Sequence, residues 1–138
     1  MLVSLYRSAA AWTAIGLASG LFYRDFTKAR DFVGTTQLSI VHTHALALGM
    51  TVMLVLLALA KAFELSGDRR FGWAVRTWNV GLAITVGSLL TKGTMQVLGS
   101  ASADSPAIAG ISGLGHITLT VAAGLLFHSL GRAVRAAA

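Results

Sequence analysis

The sequence has no cysteine, a single proline and few charged residues, and these scarcities limit what the protein can be. Without cysteine, the chain cannot form disulfides, thiolate metal sites or covalently attached haem. Charged residues make up 12% of the chain and hydrophobic residues 55%, and the mean hydropathy is +0.73. This composition is typical of a membrane protein rather than of a soluble domain.

Four long apolar runs predict an all-α fold, an integral membrane four-helix bundle. A helix needs about 20 apolar residues to cross a hydrocarbon core about 30 Å thick. Runs of this kind cover approximately residues 2–22, 36–60, 73–98 and 108–130. Little sequence remains outside them, so residues 1–138 are expected to form a single transmembrane domain.

The net charge of +6 comes from basic residues that mostly lie at the ends of the apolar runs. No nucleic-acid-binding motif accompanies them, so we expect the lipid bilayer as a partner and no nucleic acid. The positive-inside rule favours a multi-pass protein of the bacterial inner (cytoplasmic) membrane with both termini in the cytoplasm. The basic residues then expected on the cytoplasmic side are Arg7, Lys61, Arg69, Arg70, Arg76, Arg132 and Arg135.

Three histidines lie inside apolar runs, where an ionisable group needs a partner. In an α-helix, His42 and His44 point about 200° apart and therefore serve different neighbours. His116 lies in the fourth run at a similar depth, about 9–12 Å below the outer surface. Each imidazole could be a hydrogen-bonded core residue, but three at one level favour a ligand-binding role. We expect His128, near the cytoplasmic end, to be interfacial.

Small and basic residues near these histidines predict the rest of a site. Gly49 and Gly113 leave room beside the imidazoles for a broad, flat group. Lys92 and Arg30 are candidates for pairing with anionic groups of a cofactor. The alternatives are helix packing for the glycines, outward snorkelling for Lys92, and headgroup contact for Arg30.

A haem fits this residue set better than a bare metal ion. Zinc or copper could use three imidazoles, but only one of His42 and His44 can face His116. A haem needs only one or two axial imidazoles and is commonly held between facing helices. We therefore predict haem b, one or two per chain or per subunit interface. Copper is the less favoured cofactor.

The run Val41-His42-Thr43-His44-Ala45-Leu46-Ala47-Leu48-Gly49-Met50 resembles the His-x-His helix of the catalytic subunit of haem–copper oxidases and nitric-oxide reductases. The whole chain also resembles a family of small four-span bacterial membrane proteins of unassigned function, which carry His-Thr-His and Gly-Leu-Gly-His segments. The oxidase resemblance implies two haems on opposite faces of one helix, with His42 and His44 as axial iron ligands and His116 as the opposing axial ligand of a six-coordinate haem. It also implies a homo-oligomer, dimer or trimer, because the oxidases are rings of four-helix arcs.

The chain lacks the additional histidines and the tyrosine that the oxidase copper centre would need in the second to fourth runs. The resulting prediction is a b-type haem protein acting in electron transfer, or in redox chemistry or sensing of O2 or NO. The redox form of this function would be that of a haem-dependent oxidoreductase, with an unknown electron donor and acceptor. One alternative is a metal or haem transporter or chaperone that uses the same histidines with Met50 and Met95. The other is a structural membrane subunit.

Overall fold

A computed structural model of the chain describes residues 1–137, and these form an all-α fold without β-strands. The all-α prediction is therefore confirmed. The four long helices are α1 (Leu2–Ala29), α2 (Leu38–Ala62), α3 (Arg69–Val97) and α4 (Pro106–Ala137). Helix α2 is composite, because it is α-helical over Leu38–His44, π-helical over Ala45–Thr51 and α-helical again over Val52–Ala62.

The connections between the helices are short and locally hydrogen-bonded. A 3-10 turn at Leu65–Gly67 leads into α3, whose first turn is capped by Asp68 accepting a hydrogen bond from the Arg70 amide at 2.8 Å. A second 3-10 turn, Ala101–Asp104, precedes Pro106, which begins α4 at a position where proline's missing N–H costs no helical hydrogen bond. Helix α1 continues to Ala29, past the predicted end of the first run at residue 22. Arg24 and Lys28 therefore lie on the helix, and Arg30 is its C-cap.

The helices are arranged in an open row rather than a closed bundle. Helix α1 packs on α2, α2 packs on α3, and α4 packs along most of its length on α3. Helix α4 makes no comparable contact with α1 or α2. The row leaves one face of α4 uncovered and opens a cleft between α2 and α4, with α3 as its floor.

Close packing of α1 on α2 depends on glycines that receive side chains of the other helix. Gly49 of α2 faces the Trp12 side chain, and Gly16 of α1 faces Leu46. The Trp12 indole N–H also donates to the Asn79 side-chain oxygen of α3 at 2.8 Å, which ties the outer helix of the row to the third. Packing and one long-range hydrogen bond together fix the position of α1.

The start of α2 is bonded to the end of α3 by polar groups. The Thr36 hydroxyl donates to the Gly93 carbonyl, and the Gln37 amide donates to the Gln96 side chain, both at 2.8 Å. A Cβ at Gly93 would collide with the Leu38 backbone nitrogen. The α2–α3 contact is therefore a backbone-to-backbone approach that only glycine permits.

Contact between α3 and α4 also depends on small residues and hydroxyl groups. A Cβ added at Gly81 would lie 2.9 Å from the Leu119 nitrogen, which shows how closely the two backbones approach. The Ser112 hydroxyl bonds to the Ser88 hydroxyl at 2.8 Å, and Ser88 donates onward to the Thr85 carbonyl. Small residues let helices approach in an apolar medium, and hydroxyls join them.

Two of the helices, α2 and α4, are long and apolar enough to cross a membrane. Within their most apolar windows only 28% and 17% of residues are buried by the rest of the protein. Two of the four predicted spans therefore have the length and composition of a membrane-crossing helix. The four-span bundle and its oligomerisation stay predictions.

Replacing Gly93 with alanine tests the backbone contact between α2 and α3. We expect Gly93→Ala to lower the free energy of unfolding in detergent by about 1–3 kcal/mol, because the added methyl group must displace the Leu38 backbone. Gly87→Ala, on the same helix, is the matched control because its Cβ would meet nothing within 4 Å. Equal stability of the two variants would contradict the close approach.

Candidate functional site

The His42 side chain lies at the seam between α1 and α2. A Cβ placed on Gly20 of α1 would lie 3.7 Å from the His42 Cβ. The His42 Nδ1 atom is buried without a hydrogen-bond partner, and its Nε2 atom lies 3.4 Å from the Thr43 hydroxyl. His42 thus faces α1 and not the cleft between α2 and α4.

His44 and His116 share one hydrogen-bonding arrangement on two different helices. His44 Nδ1 lies 2.9 Å from the Ile40 carbonyl oxygen, and His116 Nδ1 lies 2.9 Å from the Ser112 carbonyl oxygen. A carbonyl oxygen only accepts, so Nδ1 must carry the proton in both rings. In the neutral form each imidazole then presents Nε2 as an acceptor, and among the described residues neither Nε2 has a protein partner.

The π-helical segment Ala45–Thr51 sets the angle around the axis of α2 between His44 and the residues that follow the segment. In a continuous α-helix, His44 and Leu56 would be about 120° apart. A π-helical turn holds one extra residue, which brings the two to within about 20° of each other. His44 therefore lies on the same face as Leu56 and Leu59.

An apolar cavity of about 280 Å³ lies at the inner end of the cleft between α2 and α4. Trp78 lines it, and the Trp78 indole N–H donates to the Leu48 carbonyl at 2.9 Å, joining α3 to the π-helical segment. The other lining side chains are all apolar: Leu56, Leu59, Leu65, Phe71, Ala123, Leu126, Phe127 and Leu130. The cavity can hold a hydrocarbon group but offers no polar group to orient one.

His116 lies on the side of α4 that lines this cavity. Ala123 and Phe127 come seven and eleven residues after it, and both separations place side chains within about 20° of one helix face. At 1.5 Å per residue, His116 stands about 10 Å above Ala123. The two imidazoles thus lie nearer the outer ends of the helix faces whose inner parts line the apolar cavity.

The other residues predicted for the site have local partners. The Lys92 ammonium lies 3.4 Å from the Asp104 carboxylate, and the Arg30 guanidinium lies over the Phe26 ring at 5.6 Å. Gly49 receives Trp12 rather than a ligand, whereas a Cβ at Gly113 would meet nothing within 4 Å. By helix geometry, His44, which is half-buried, and His116, which is exposed, lie on the faces of α2 and α4 that line the cavity, whereas the basic residues and Gly49 have other contacts.

The prediction of a haem-binding redox protein is wrong. No group of three or more His, Cys, Asp or Glu side chains in residues 1–137 is placed to hold a metal ion. His42 faces α1, and Trp12 fills the space predicted beside Gly49. These observations give the predicted haem site no support. The ligand of His44 and His116 stays a matter for proposal.

Sequence reasoning missed the π-helical segment and the cavity. The expected 200° between His42 and His44 holds, because residues 38–44 are α-helical. The helical register changes immediately after His44, and no proline or charge marks the change. The signal available in the sequence was a glycine, Gly49, close to Thr51 in an apolar helix. In the structure the Thr51 hydroxyl donates to the Leu46 carbonyl, five residues earlier, at 3.1 Å.

Comparison with known proteins identifies a family for nearly the whole chain. Residues 2–133 match the model of a family described as a protein of unknown function (DUF2871). No curated protein and no solved structure matches the chain. The predicted similarity to a family of unassigned function is confirmed, and the oxidase similarity finds no support.

Deleting Ala47 tests whether the π-helical segment holds one extra residue. In the shortened chain a continuous α-helix would place His44 and Leu56 eleven residues apart, which is within about 20° of each other, as in the π-helical segment. Residues 38–44 and 52–62 should then keep their contacts with Gly93 and Asn79, so the melting temperature should change little. Deleting Ala58, which is exposed in the α-helical part, removes a residue where none is extra, so it should rotate the two sides of the deletion by about 100° and lower the melting temperature. An equal fall for both deletions would contradict this interpretation.

Proposed function

The chain belongs to the DUF2871 family of proteins of unknown function, and we propose that it is a membrane protein that binds a lipid-soluble amphiphile in the cleft between α2 and α4. The ligand class is an apolar chain that ends in a hydroxyl-bearing ring, as in a hydroquinone or a phenol. The observation that carries the proposal is the pair of Nε2 acceptors, from His44 and His116, above an apolar cavity.

The hydrogen-bonding state of the two imidazoles selects the chemistry of the ligand head. Each Nδ1 proton is already donated to a backbone carbonyl, so each ring has only an acceptor left. A ligand that donates hydrogen bonds satisfies them, whereas a carbonyl or ether oxygen does not. Two hydroxyl groups on one ring could engage both histidines.

The cavity selects the chemistry of the tail. Its lining side chains are aliphatic or aromatic, and burying each methylene of a chain there contributes about 0.8 kcal/mol. Trp78 is the one lining side chain with a polar hydrogen, and Leu48 already accepts it. A tail without polar groups therefore fits the cavity best.

Exposure of the apolar helices supports a location in the membrane. Helix α4 presents large apolar side chains away from the protein, among them Leu114 (59% exposed), Ile117 (62%) and Val121 (53%). A soluble protein rarely leaves so large an apolar surface uncovered. Lipid, or another copy of the chain, would cover it.

We extend the proposal to the topology and the assembly. All four helices cross the bacterial inner membrane, with both termini and the α2–α3 connection in the cytoplasm, as the distribution of basic residues favours. The open row leaves α1 and α4 with free faces at its two ends, and we propose that these faces join copies into a dimer or trimer.

Binding of 2-decylhydroquinone, measured by titration calorimetry in detergent micelles, tests the ligand class. We expect His44→Phe and His116→Phe each to weaken binding about threefold to tenfold, because each removes one hydrogen bond. His128→Phe, the same substitution outside the cleft, is the matched control. The dimethyl ether of the same compound keeps both oxygens but has no hydrogen-bond donor. It should bind more weakly than the hydroquinone, with about the same affinity for the parent protein and for every histidine variant.

Filling the cavity gives the complementary arm of this test. Ala123→Leu should reduce binding of both compounds, because the longer side chain occupies the space for the tail. Gly124→Leu adds the same group where a Cβ meets nothing within 4 Å, and it should leave binding unchanged. If the ether binds as tightly as the hydroquinone, the proposed role of the histidines is wrong.

The absence of cysteine allows a direct test of topology. Ser102→Cys and Ser66→Cys place single thiols at exposed positions in the turns before α4 and α3. A membrane-impermeant maleimide should label Ser102→Cys in cells whose outer membrane alone is permeable. It should label Ser66→Cys only after the inner membrane is also opened. Labelling of both before that step would contradict the proposed arrangement.

A further inference from the structure

The inner end of the α3–α4 pair carries a cationic cluster with no acidic counterpart, and we propose that it binds the phosphate of an anionic phospholipid. The cluster consists of Arg70, His128 and Arg132. The proposal rests on the membrane location given under the proposed function. It concerns the opposite end of the helices from His44 and His116.

Arg70 and His128 are linked in a way that leaves donors free. The Arg70 Nη1 atom lies 3.3 Å from His128 Nε2, and the guanidinium always donates, so Nε2 accepts. His128 then carries its proton on Nδ1 and can donate it to a further acceptor. Arg70 uses one of its five N–H groups in this contact, which leaves most of its planar fork for a phosphate.

The charge of the cluster is not neutralised within the described part of the chain. The one ion pair of residues 1–137, between Lys92 and Asp104, lies at the other end of α3. Asp68 is the nearest acidic residue along the chain, and its carboxylate accepts the Arg70 backbone amide as the helix cap. Arg132 comes four residues after His128, so it lies on the same face of α4 and adds a second full positive charge.

The surroundings of the cluster favour a lipid over a soluble phosphate. Phe127 and Val134 flank it on α4 with 76% and 44% of their surface exposed, so apolar and cationic groups share this end of the helix. The Arg76 guanidinium lies 5.4 Å from the centre of the exposed Trp73 ring, as is typical of residues at a membrane surface. Basic sites between helices on the cytoplasmic side recognise anionic headgroups.

The test measures lipid retention by native mass spectrometry of the full chain extracted with phosphatidylglycerol or with phosphatidylcholine. We expect preferential retention of phosphatidylglycerol. The double variant Arg70→Gln/Arg132→Gln should lower its affinity about tenfold to thirtyfold, at about one kcal/mol per basic residue near the surface. The control Arg24→Gln/Lys28→Gln removes the same charge from exposed positions on α1 and should retain the preference.

Two further arms separate the outcomes. His128→Phe should weaken phosphatidylglycerol retention while leaving phosphatidylcholine unaffected, because it removes a donor without changing the net charge. Equal retention of the two lipids, equal effects of the two double variants, or displacement of the lipid by millimolar inorganic phosphate would each overturn the proposal. Cysteine labelling tests the membrane location separately, so failure of this site is distinguishable from failure of that proposal.

Discussion

The extra residue in the π-helical segment of α2 is the constraint on which the rest of the structure depends. Residues 38–44 are held by α3 through Thr36, Gln37 and Gly93, and residues beyond 52 are held by Asn79 through Met53. A straight α-helix could satisfy one set of contacts but not both in the same register. The longer turn between them reconciles the two, and Trp78 bonds to the Leu48 carbonyl within it.

The α-helical turn before this segment separates the two histidines of α2, and the segment sets their orientation relative to the rest of the helix. His42 is directed to the seam with α1, where its Nδ1 atom is buried without a partner, and His44 shares a face with the cavity-lining leucines. π-Helical segments within α-helices often occur at functional sites, because they redirect side chains without ending the helix. Here the redirected side chain is an imidazole whose tautomer is set by its own helix.

The sequence predicted the helices well and the site only in part. Hydrophobic run length located all four helices. Hydropathy could not find the end of α1, because helix propensity continues through its basic residues to Ala29. Equal helical depth predicted one level for His42, His44 and His116, but spacing alone does not reveal what fills the gap between two helices. Trp12 against Gly49 and Asp104 against Lys92 are tertiary contacts, and they removed the space and the charge assigned to a haem.

The most direct test of the cleft as a binding site is ¹⁵N NMR of the histidine rings, with and without 2-decylhydroquinone. Before addition, His44 and His116 should both show the Nδ1-protonated neutral tautomer that their carbonyl contacts require. On addition, the Nε2 resonances of these two residues should shift together, and those of His42 and His128 should not. A shift confined to His42, or Nε2-protonated rings at positions 44 and 116, would contradict the assignment of the cleft.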